Sequence, residues 1–145
     1  MTQESFDFQL RVAQQRDAAE VLRIWQEAGL RPTPTDSEDA LRARAAREDD
    51  MFILAEHDGQ IIGTVIGGWD GWRGNIYRLA VLPAFQRRGV ARALVQSVEA
   101  EMKQHGVTRI HVLLKQHATS GQAMDFWKSM GYDLDEESAP LGRNI

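Results

Sequence analysis

The segment Gln86-Arg87-Arg88-Gly89-Val90-Ala91 holds the residues whose types and spacing best support chemistry. It follows a strand-like apolar run and precedes a helical repeat. At such a helix start, backbone N–H groups lack partners within the helix and the helix dipole adds positive charge. Gly89 allows a tight turn and carries no Cβ that would keep a phosphate from the backbone. Charge-assisted hydrogen bonds to phosphate oxygens can come from the nearby guanidinium groups of Arg87, Arg88 and Arg92. The segment therefore indicates an anion site, although an ordinary helix start beside solvated arginines has the same spacing.

Apolar periodicity, caps and turn residues predict the elements that position this segment. The first part of the chain is predicted to form a strand over 8–12, a helix from the capping-box spacing Asp17-Ala18-Ala19-Glu20 to Gly29, a proline loop over 31–35, and a helix capped by Asp36 or Ser37 that runs toward Arg47. The middle part is predicted to form strands over 51–56 and 60–68 joined at Asp58-Gly59, a strand over 75–82, and a helix from Gly89 to about His105. The last part is predicted to form a strand over 109–115, a helix from a cap at 119–122 to Gly131, and short strands over 132–134 and 140–145. A helix between 75–82 and 109–115 indicates a parallel crossover, whereas the Asp58-Gly59 hairpin is antiparallel. We therefore expect a single α/β domain over residues 1–145 with a mixed sheet.

Composition and charge limit the class of protein. The chain has 145 residues, 43% of them hydrophobic and 26% charged, which suits one globular domain with a real core. A formal net charge of -4 argues against nucleic acid as the main ligand, and the local arginines favour a small anion. No apolar run is long enough to span a membrane and the first ten residues lack a signal-peptide pattern, so we expect a cytoplasmic protein without membrane contact. The absence of cysteine excludes disulfides, thiolate metal sites and a cysteine nucleophile.

The stretch Leu79-Ala80-Val81-Leu82-Pro83-Ala84-Phe85-Gln86-Arg87-Arg88-Gly89-Val90-Ala91-Arg92-Ala93-Leu94 closely resembles the acetyl-CoA-binding motif of the GNAT superfamily of N-acetyltransferases. In that motif, Gln/Arg-x-x-Gly-x-Gly/Ala follows a strand and a proline. Segment 123–132 resembles a later motif of the superfamily, while 67–74 and 141–143 look like a small bacterial subgroup whose substrates are generally unassigned. The resemblance implies a GNAT-like α/β fold, with a mixed, mostly antiparallel sheet of six to seven strands and about four helices on both faces.

The resemblance also implies roles for particular residues. Backbone amides of 87–91 would hold the pyrophosphate of acetyl-CoA, and backbone groups of 79–81 would bind its pantetheine arm as an added strand would. Coenzyme A would serve as a co-substrate without a metal, and the four histidines show no ligand spacing. The implied cofactor-binding residues are Leu79, Ala80, Val81, Gln86, Arg87, Arg88, Gly89, Val90, Ala91, Arg92, Ser120 and Trp127.

Acetyl transfer to an amine requires deprotonation of the amine, polarisation of the thioester carbonyl and stabilisation of the departing thiolate. A backbone N–H at 79–81 can polarise the carbonyl. In the family, a tyrosine four residues before the helix-ending glycine often serves the thiolate, but Trp127 occupies that position here. An indole N–H donates a hydrogen bond without being a practical proton source. Ser120 stands at the position where the family has a nearby asparagine. The sequence therefore does not identify the general acid.

Four side chains compete for the role of general base. Tyr77 is the first candidate, because its hydroxyl can face the acceptor from the strand before the loop; a half-buried strand aromatic is the alternative. Asp70, among glycines and tryptophans, is the second candidate, with ordinary turn chemistry as its alternative. Glu56 beside a hairpin turn fits a solvated residue, and His111 between apolar neighbours fits a core histidine. Ordered water can also carry the proton.

Arg31, Trp69 and Trp72 are predicted to border the acceptor site. The proline loop that contains Arg31 usually lies beside the acceptor in the family, and the two tryptophans can form an aromatic wall. A solvated arginine and tryptophans that cap the core are the alternatives. The acceptor itself, a small-molecule or protein amine, is not identified by the sequence.

Functions from different classes follow from these observations. The first is an N-acetyltransferase that moves the acetyl group from acetyl-CoA to a primary amine by direct attack in a ternary complex. The second is an acyl-CoA-binding sensor or regulatory module with little turnover, which the missing tyrosine supports. A nucleotide enzyme is a third, but the G-x-x-x-x-G-K-[ST] and G-x-G-x-x-G patterns are both absent. Trp and Leu residues near the C-terminus would suit a homodimer, and core packing explains them equally.

Overall fold

The computed structural model describes residues 6–114 and 121–145, which contain five strands and four helices. The chain divides into two compact units, Met1–His111 and Val112–Ile145. The elements are β1 (Gln9–Val12), α1 (Ala18–Glu27), α2 (Glu38–Ala45), β2 (Phe52–His57), β3 (Gln60–Trp69), β4 (Gly74–Val81), α3 (Val90–Gln104), β5 (Ile110–Val112) and α4 (Gln122–Ser129), with one-turn 3₁₀ segments at Gln15–Asp17 and Pro83–Phe85.

The sheet has the strand order β1-β2-β3-β4-β5, and each pair from β1 to β4 is antiparallel. The N–H of Gly74 donates to the carbonyl of Arg109 at 3.0 Å, so β5 starts beside the first residue of β4. Because both strands start at the same end, they run parallel, as the predicted crossover through α3 requires. The predicted mixed, mostly antiparallel sheet and the four helices are confirmed.

The predicted number of strands, six to seven, is wrong, because the described residues form five. Residues 132–134 and 140–145 were expected to be strands and are irregular. Apart from the half-buried Tyr132, their large apolar side chains are exposed, with Leu134 at 52% and Leu141 at 99%. Burial of apolar area is what offsets the entropy of ordering a strand, and these segments have almost none.

Helices lie on both faces of the sheet, and glycines let α3 approach closely. A Cβ on Gly63 would lie 3.1 Å from Leu94 Cδ1 and 3.2 Å from Val90 Cγ1, so β3 presents bare backbone to this helix. On the opposite face, α1 packs through Trp25, whose Nε1 donates to Thr64 Oγ1 at 2.8 Å. Because Gly63 pairs with Val81 and contacts Val90 and Leu94, the start of α3 is held beside the end of β4.

The start of α1 differs from the prediction. Asp17 was expected to cap this helix in a capping box, but its carboxylate makes no cap hydrogen bond there. The 3₁₀ turn before α1 directs the carboxylate back, where it accepts the N–H of Gln14 at 2.7 Å and pairs with the guanidinium of Arg11 at 2.8 Å. By contrast, Ser37 caps α2 as predicted, accepting the N–H of Ala40 at 3.0 Å.

Replacing Asp17 should change how stability depends on pH. The Arg11 guanidinium, with a smaller contribution from the Gln14 N–H, holds the pKa of Asp17 below its ordinary value despite burial. Stability from a carboxyl with a depressed folded-state pKa is fully present above the unfolded pKa of about 3.9 and is lost as pH falls through the folded value. We expect Asp17→Asn to lower the free energy of unfolding at neutral pH by about 2 kcal/mol and to flatten its acid dependence. Urea unfolding at a series of pH values measures both, and a wild-type acid dependence in the variant would contradict the assignment.

Candidate active site

The loop between β4 and α3 has a backbone shaped for an anion. Arg87 and Gly89 both have left-handed φ angles, 64° and 84°. A Cβ on Gly89 would meet no atom within 4 Å, so the space beside it is open. A left-handed residue followed by the right-handed Val90 turns successive N–H groups toward a common concavity. The first helical hydrogen bond comes from Ala93 to the carbonyl of Gly89, so the N–H groups before Ala93 belong to the open helix start.

Side chains of this loop are held by neighbouring groups. Gln86 Nε2 donates to the carbonyl of Val81 at 3.1 Å and so ties the loop to the end of β4. The guanidinium of Arg88 lies over the ring of Phe6, 4.8 Å from its centroid, in a cation–π contact. Arg87 and Arg92 extend from the exposed side of the loop and the helix start.

A β-bulge interrupts β4 at Arg78. Its φ is 52°, and the pairing with β3 shifts there from Ile66↔Tyr77 to Thr64↔Ala80. The hydroxyl of Thr64 donates to the carbonyl of Arg78 at 2.9 Å, which supports the strained conformation. A bulge breaks the alternation of side chains. The guanidinium of Arg78 lies over Trp25 of α1, and the ring of Tyr77 lies beside Gly68 on the face opposite α3.

The second half of β4 has an open edge. Its inner edge pairs with β3, where Gly63 opposes Val81 and Thr64 opposes Ala80. On its other side β5 spans three residues beside the eight of β4. Among the described residues, therefore, the β5-side edge of Leu79 to Val81 has no strand partner. Backbone groups at such an edge can pair with an extended ligand.

Arg78 also ties the proline loop to the bulge. Its Nη2 donates to the carbonyl of Arg31 at 3.2 Å and to Thr33 Oγ1 at 3.2 Å, and it pairs with the carboxylate of Asp36. The same guanidinium lies 5.1 Å from the ring centroid of Trp25. The structure thus brings the backbone of Arg31 to Arg78, the residue that follows Tyr77 in β4. The role of Arg31 at the acceptor site stays a prediction. Neither Arg78 nor Asp36 is predicted as a site residue from the sequence, where Asp36 is a candidate helix cap. The available signal for Arg78 is an arginine inside an otherwise apolar strand.

Asp70, Trp69 and Trp72 lie at the other end of β4. From Gly74 to Arg78 the strand rises about 13 Å, and these residues precede Gly74. Asp70 Oδ1 accepts the N–H groups of Arg73 and Trp72 at 2.8 and 2.9 Å, and these bonds hold the pKa of Asp70 below its ordinary value. The carboxylate therefore organises the hairpin turn, and the three residues are not brought to the loop at 86–91.

Trp69 belongs to a separate cleft of about 270 Å³. Its ring stacks on that of His105 at a centroid distance of 4.5 Å, at the far end of α3 from Gly89. The cleft is lined by Arg47, Glu48, Asp49, Asp50, Met51, Trp69, Glu101 and His105. No three His, Cys, Asp or Glu side chains among residues 6–114 and 121–145 are arranged to hold a metal ion.

The remaining candidates have structural partners or lie outside the site's own unit. Glu56 pairs with Arg11 at 2.8 Å, and His111 Nε2 lies 3.3 Å from Arg109 Nε. In the unit Val112–Ile145, Trp127 is buried and packs edge-on against Tyr132 at 5.0 Å between ring centroids. Ser120 lies outside the described residues.

Comparison with known proteins identifies the family. Residues 18–132 match the sequence profile of the acetyltransferase (GNAT) family. The chain belongs to this family. This chain is 33% identical over 108 residues to an acetyltransferase of Pectobacterium atrosepticum. The match covers 74% of this chain and 77% of the relative. The chain is 28% identical over 137 residues to one of Yersinia enterocolitica, covering 94% of this chain and 95% of that one.

Solved structures share the fold of the GNAT protein. The PaiA N-acetyltransferase of Thermoplasma acidophilum, crystallised in complex with coenzyme A, has a TM-score of 0.77 at 16% identity, over 91% of this chain and 93% of that one. The ribosomal-protein-S18-alanine N-acetyltransferase of Escherichia coli has a TM-score of 0.69 at 21% identity, over 86% and 77%. The GNAT protein is an acetyl-CoA-dependent acetyltransferase with acetyl-CoA as its co-substrate. In the described part of the chain, no helix is long and apolar enough to cross a membrane.

Proposed function

We propose that this acetyltransferase moves the acetyl group from acetyl-CoA to a primary amine by direct attack in a ternary complex. The observation that carries the proposal is the bulge at Arg78, which ends the open half of β4 and projects Tyr77 toward the face beside the proline loop. A cofactor on the open edge and an amine on this face would meet at the bulge. No covalent enzyme intermediate is needed, which suits a chain without cysteine.

The loop and the open edge define a path for the cofactor. The N–H groups of 87–91 would bind the pyrophosphate, with the guanidinium of Arg92 beside it. The pantetheine arm would then pair with the backbone of Val81, Ala80 and Leu79, as an added strand does. The thioester would follow at the N-terminal end of this stretch, next to Arg78 and Tyr77. The family resemblance, and not this geometry, assigns Ser120 and Trp127 to the cofactor.

Tyr77 is the proposed general base. Its side chain is 45% exposed and its hydroxyl has no hydrogen-bond partner among the described residues, so it is accessible to an amine. As the amine nitrogen bonds to the carbonyl carbon, the amine proton passes to the side-chain oxygen of Tyr77. The C–S bond then breaks with its electron pair on sulfur, and the proton that Tyr77 accepted passes through water to the departing thiolate of coenzyme A. This transfer returns Tyr77 to its starting state. A backbone N–H of 79–81 would stabilise the oxyanion of the tetrahedral intermediate. Asp70 stays the second candidate base, although its carboxylate accepts two backbone N–H groups of its own hairpin turn.

A panel of amines tests the proposed function. Purified protein and acetyl-CoA are mixed with amino acids, alkyl and aryl amines, polyamines and peptides, and released thiol is measured. We expect thiol release that depends on one class of amine, with initial rates whose double-reciprocal lines intersect, as a ternary complex requires. Parallel lines would contradict direct attack. Tight acetyl-CoA binding with no turnover across the panel would favour the sensor, for which Trp127 at the usual tyrosine position is the supporting feature.

A further inference from the structure

The guanidinium of Arg78 is only partly used by the protein. Its three hydrogen bonds, to Arg31, Thr33 and Asp36, all come from Nη2. Within the described residues, Nε and Nη1 have no hydrogen-bond partner. No fully buried side-chain nitrogen or oxygen in this part of the chain lacks a partner, so these two nitrogens are in contact with solvent. The side chain of Arg78 is 16% exposed, which agrees with one accessible edge on an otherwise packed group.

The conformation of Arg78 is fixed before any ligand arrives. The left-handed bulge sets its backbone, the hydroxyl of Thr64 holds its carbonyl, and the ring of Trp25 lies under its guanidinium. A guanidinium fixed on several sides loses little side-chain entropy when it binds an anion. The accessible N–H groups on Nε and Nη1 are therefore a prepared anion-binding edge beside Tyr77.

The carboxylate beside this guanidinium, and that of Asp70 at the far end of β4, are both engaged inside the protein. Asp36 pairs with Arg78 and also accepts the N–H of Thr33 at 3.0 Å. Asp70 accepts two backbone N–H groups in its own hairpin turn. Neither carboxylate is left to attract a purely cationic amine, whereas Arg31 has an exposed side chain on the same loop.

We infer that the acceptor is a primary amine that carries a carboxylate, such as an α-amino acid, and that Nε and Nη1 of Arg78 bind that carboxylate. The inference rests on the proposed function and adds the class of acceptor to it. The carboxylate would hold the amine on the face of Tyr77, next to the thioester. Charge-assisted hydrogen bonds to a prepared guanidinium give a large preference for the ionised acid over a neutral amide of the same size.

Matched sets of acceptors test the inference. Each set contains an amino acid, its carboxamide and the decarboxylated amine with the same side chain, and kcat/KM is measured with saturating acetyl-CoA. We expect wild-type protein to prefer the free acid over the amide by about tenfold to a hundredfold, the discrimination given by charged hydrogen bonds. Arg78→Gln should remove most of this preference by raising KM for the acid, with KM for acetyl-CoA unchanged.

Asp36→Asn is the matched control, because it weakens the attachment of the proline loop and keeps the guanidinium. It should retain the preference for the acid even where its overall rate falls. Equal or better use of the amides and decarboxylated amines by wild type would overturn the inference and leave the proposed function standing. A preference that survives Arg78→Gln, or that Asp36→Asn removes equally, would also overturn it. No turnover with any amine would overturn the proposed function and the inference with it.

Discussion

Gly89→Val should abolish acetyl-CoA binding while the protein stays folded. The valine Cβ would enter the open space beside a backbone with φ of 84°, where we propose that the pyrophosphate binds. A β-branched residue also resists that φ, so the loop would shift and its N–H groups would lose their common direction. Loss of two or more charge-assisted hydrogen bonds corresponds to about 3 kcal/mol, so the dissociation constant should rise by at least about a hundredfold. Isothermal titration calorimetry measures the affinity.

The same helix provides a matched control for this variant. Gly106 follows α3 with φ of 79° and open space around its Cβ position, so Gly106→Val introduces the same strain far from the loop. Both variants should lower the melting temperature to a similar extent, and only Gly89→Val should lose acetyl-CoA binding. Unchanged affinity in Gly89→Val would refute the assignment of this loop to the pyrophosphate.

Tyr77→Phe should lower kcat by about a hundredfold or more, the range that one general base supplies. The variant keeps the ring on the face beside the proline loop and removes only the oxygen that accepts the proton. Since that hydroxyl has no hydrogen-bond partner among the described residues, the melting temperature should be unchanged, and KM for acetyl-CoA should stay within about twofold. Steady-state kinetics across pH with the best acceptor from the amine panel measures the effect.

Tyr132→Phe serves as the control for the second phenol of the chain, which packs on Trp127 in the other unit. It should leave the pH profile of kcat/KM unaltered. If Tyr77→Phe retains full kcat/KM across pH, Tyr77 is not the base, and Asp70→Asn becomes the next variant to measure.

Local sequence signals predict the bounds of the loop after β4 and of the helix that follows it well. Val90, Leu94, Val98 and Met102 recur every four residues, and all four are buried against the sheet. The strand before the loop ends at Val81, one residue short of its predicted end. Here periodicity, a glycine and a proline act within a few residues of one another, so the pattern and the structure agree.

The acceptor side could not be predicted in the same way. The bulge at Arg78 arises from the pairing of β4 with β3 and from the hydroxyl of Thr64, which are contacts between distant parts of the chain. The sequence around Asp36 predicts only a helix cap, because nothing local indicates its partner Arg78 on β4. The role of Trp69 and Trp72 as an aromatic wall of the acceptor site stays a prediction. The hairpin holds them at the Gly74 end of β4, away from the bulge at Arg78.

In the C-terminal segments, the sequence pattern predicts strands that the structure does not contain. Apolar residues at 132–134 and 140–145 fit the pattern of strands, but a strand also needs a neighbouring strand and a surface that buries it. Leu141 and Ile145 have neither in the structure and are almost fully exposed. A short apolar run is therefore weak evidence for a strand when the sheet does not extend to it.

The central claim is that an amine nitrogen takes the acetyl group directly from acetyl-CoA on this protein. The most direct test is mass spectrometry of a reaction with acetyl-CoA labelled with ¹³C in its acetyl group, using the best amine of the panel. We predict one labelled acetyl group on the nitrogen of each acceptor product, one free thiol of coenzyme A per product, and no labelled protein. Release of thiol without an acetylated amine, or label attached to the protein during turnover, would contradict this account.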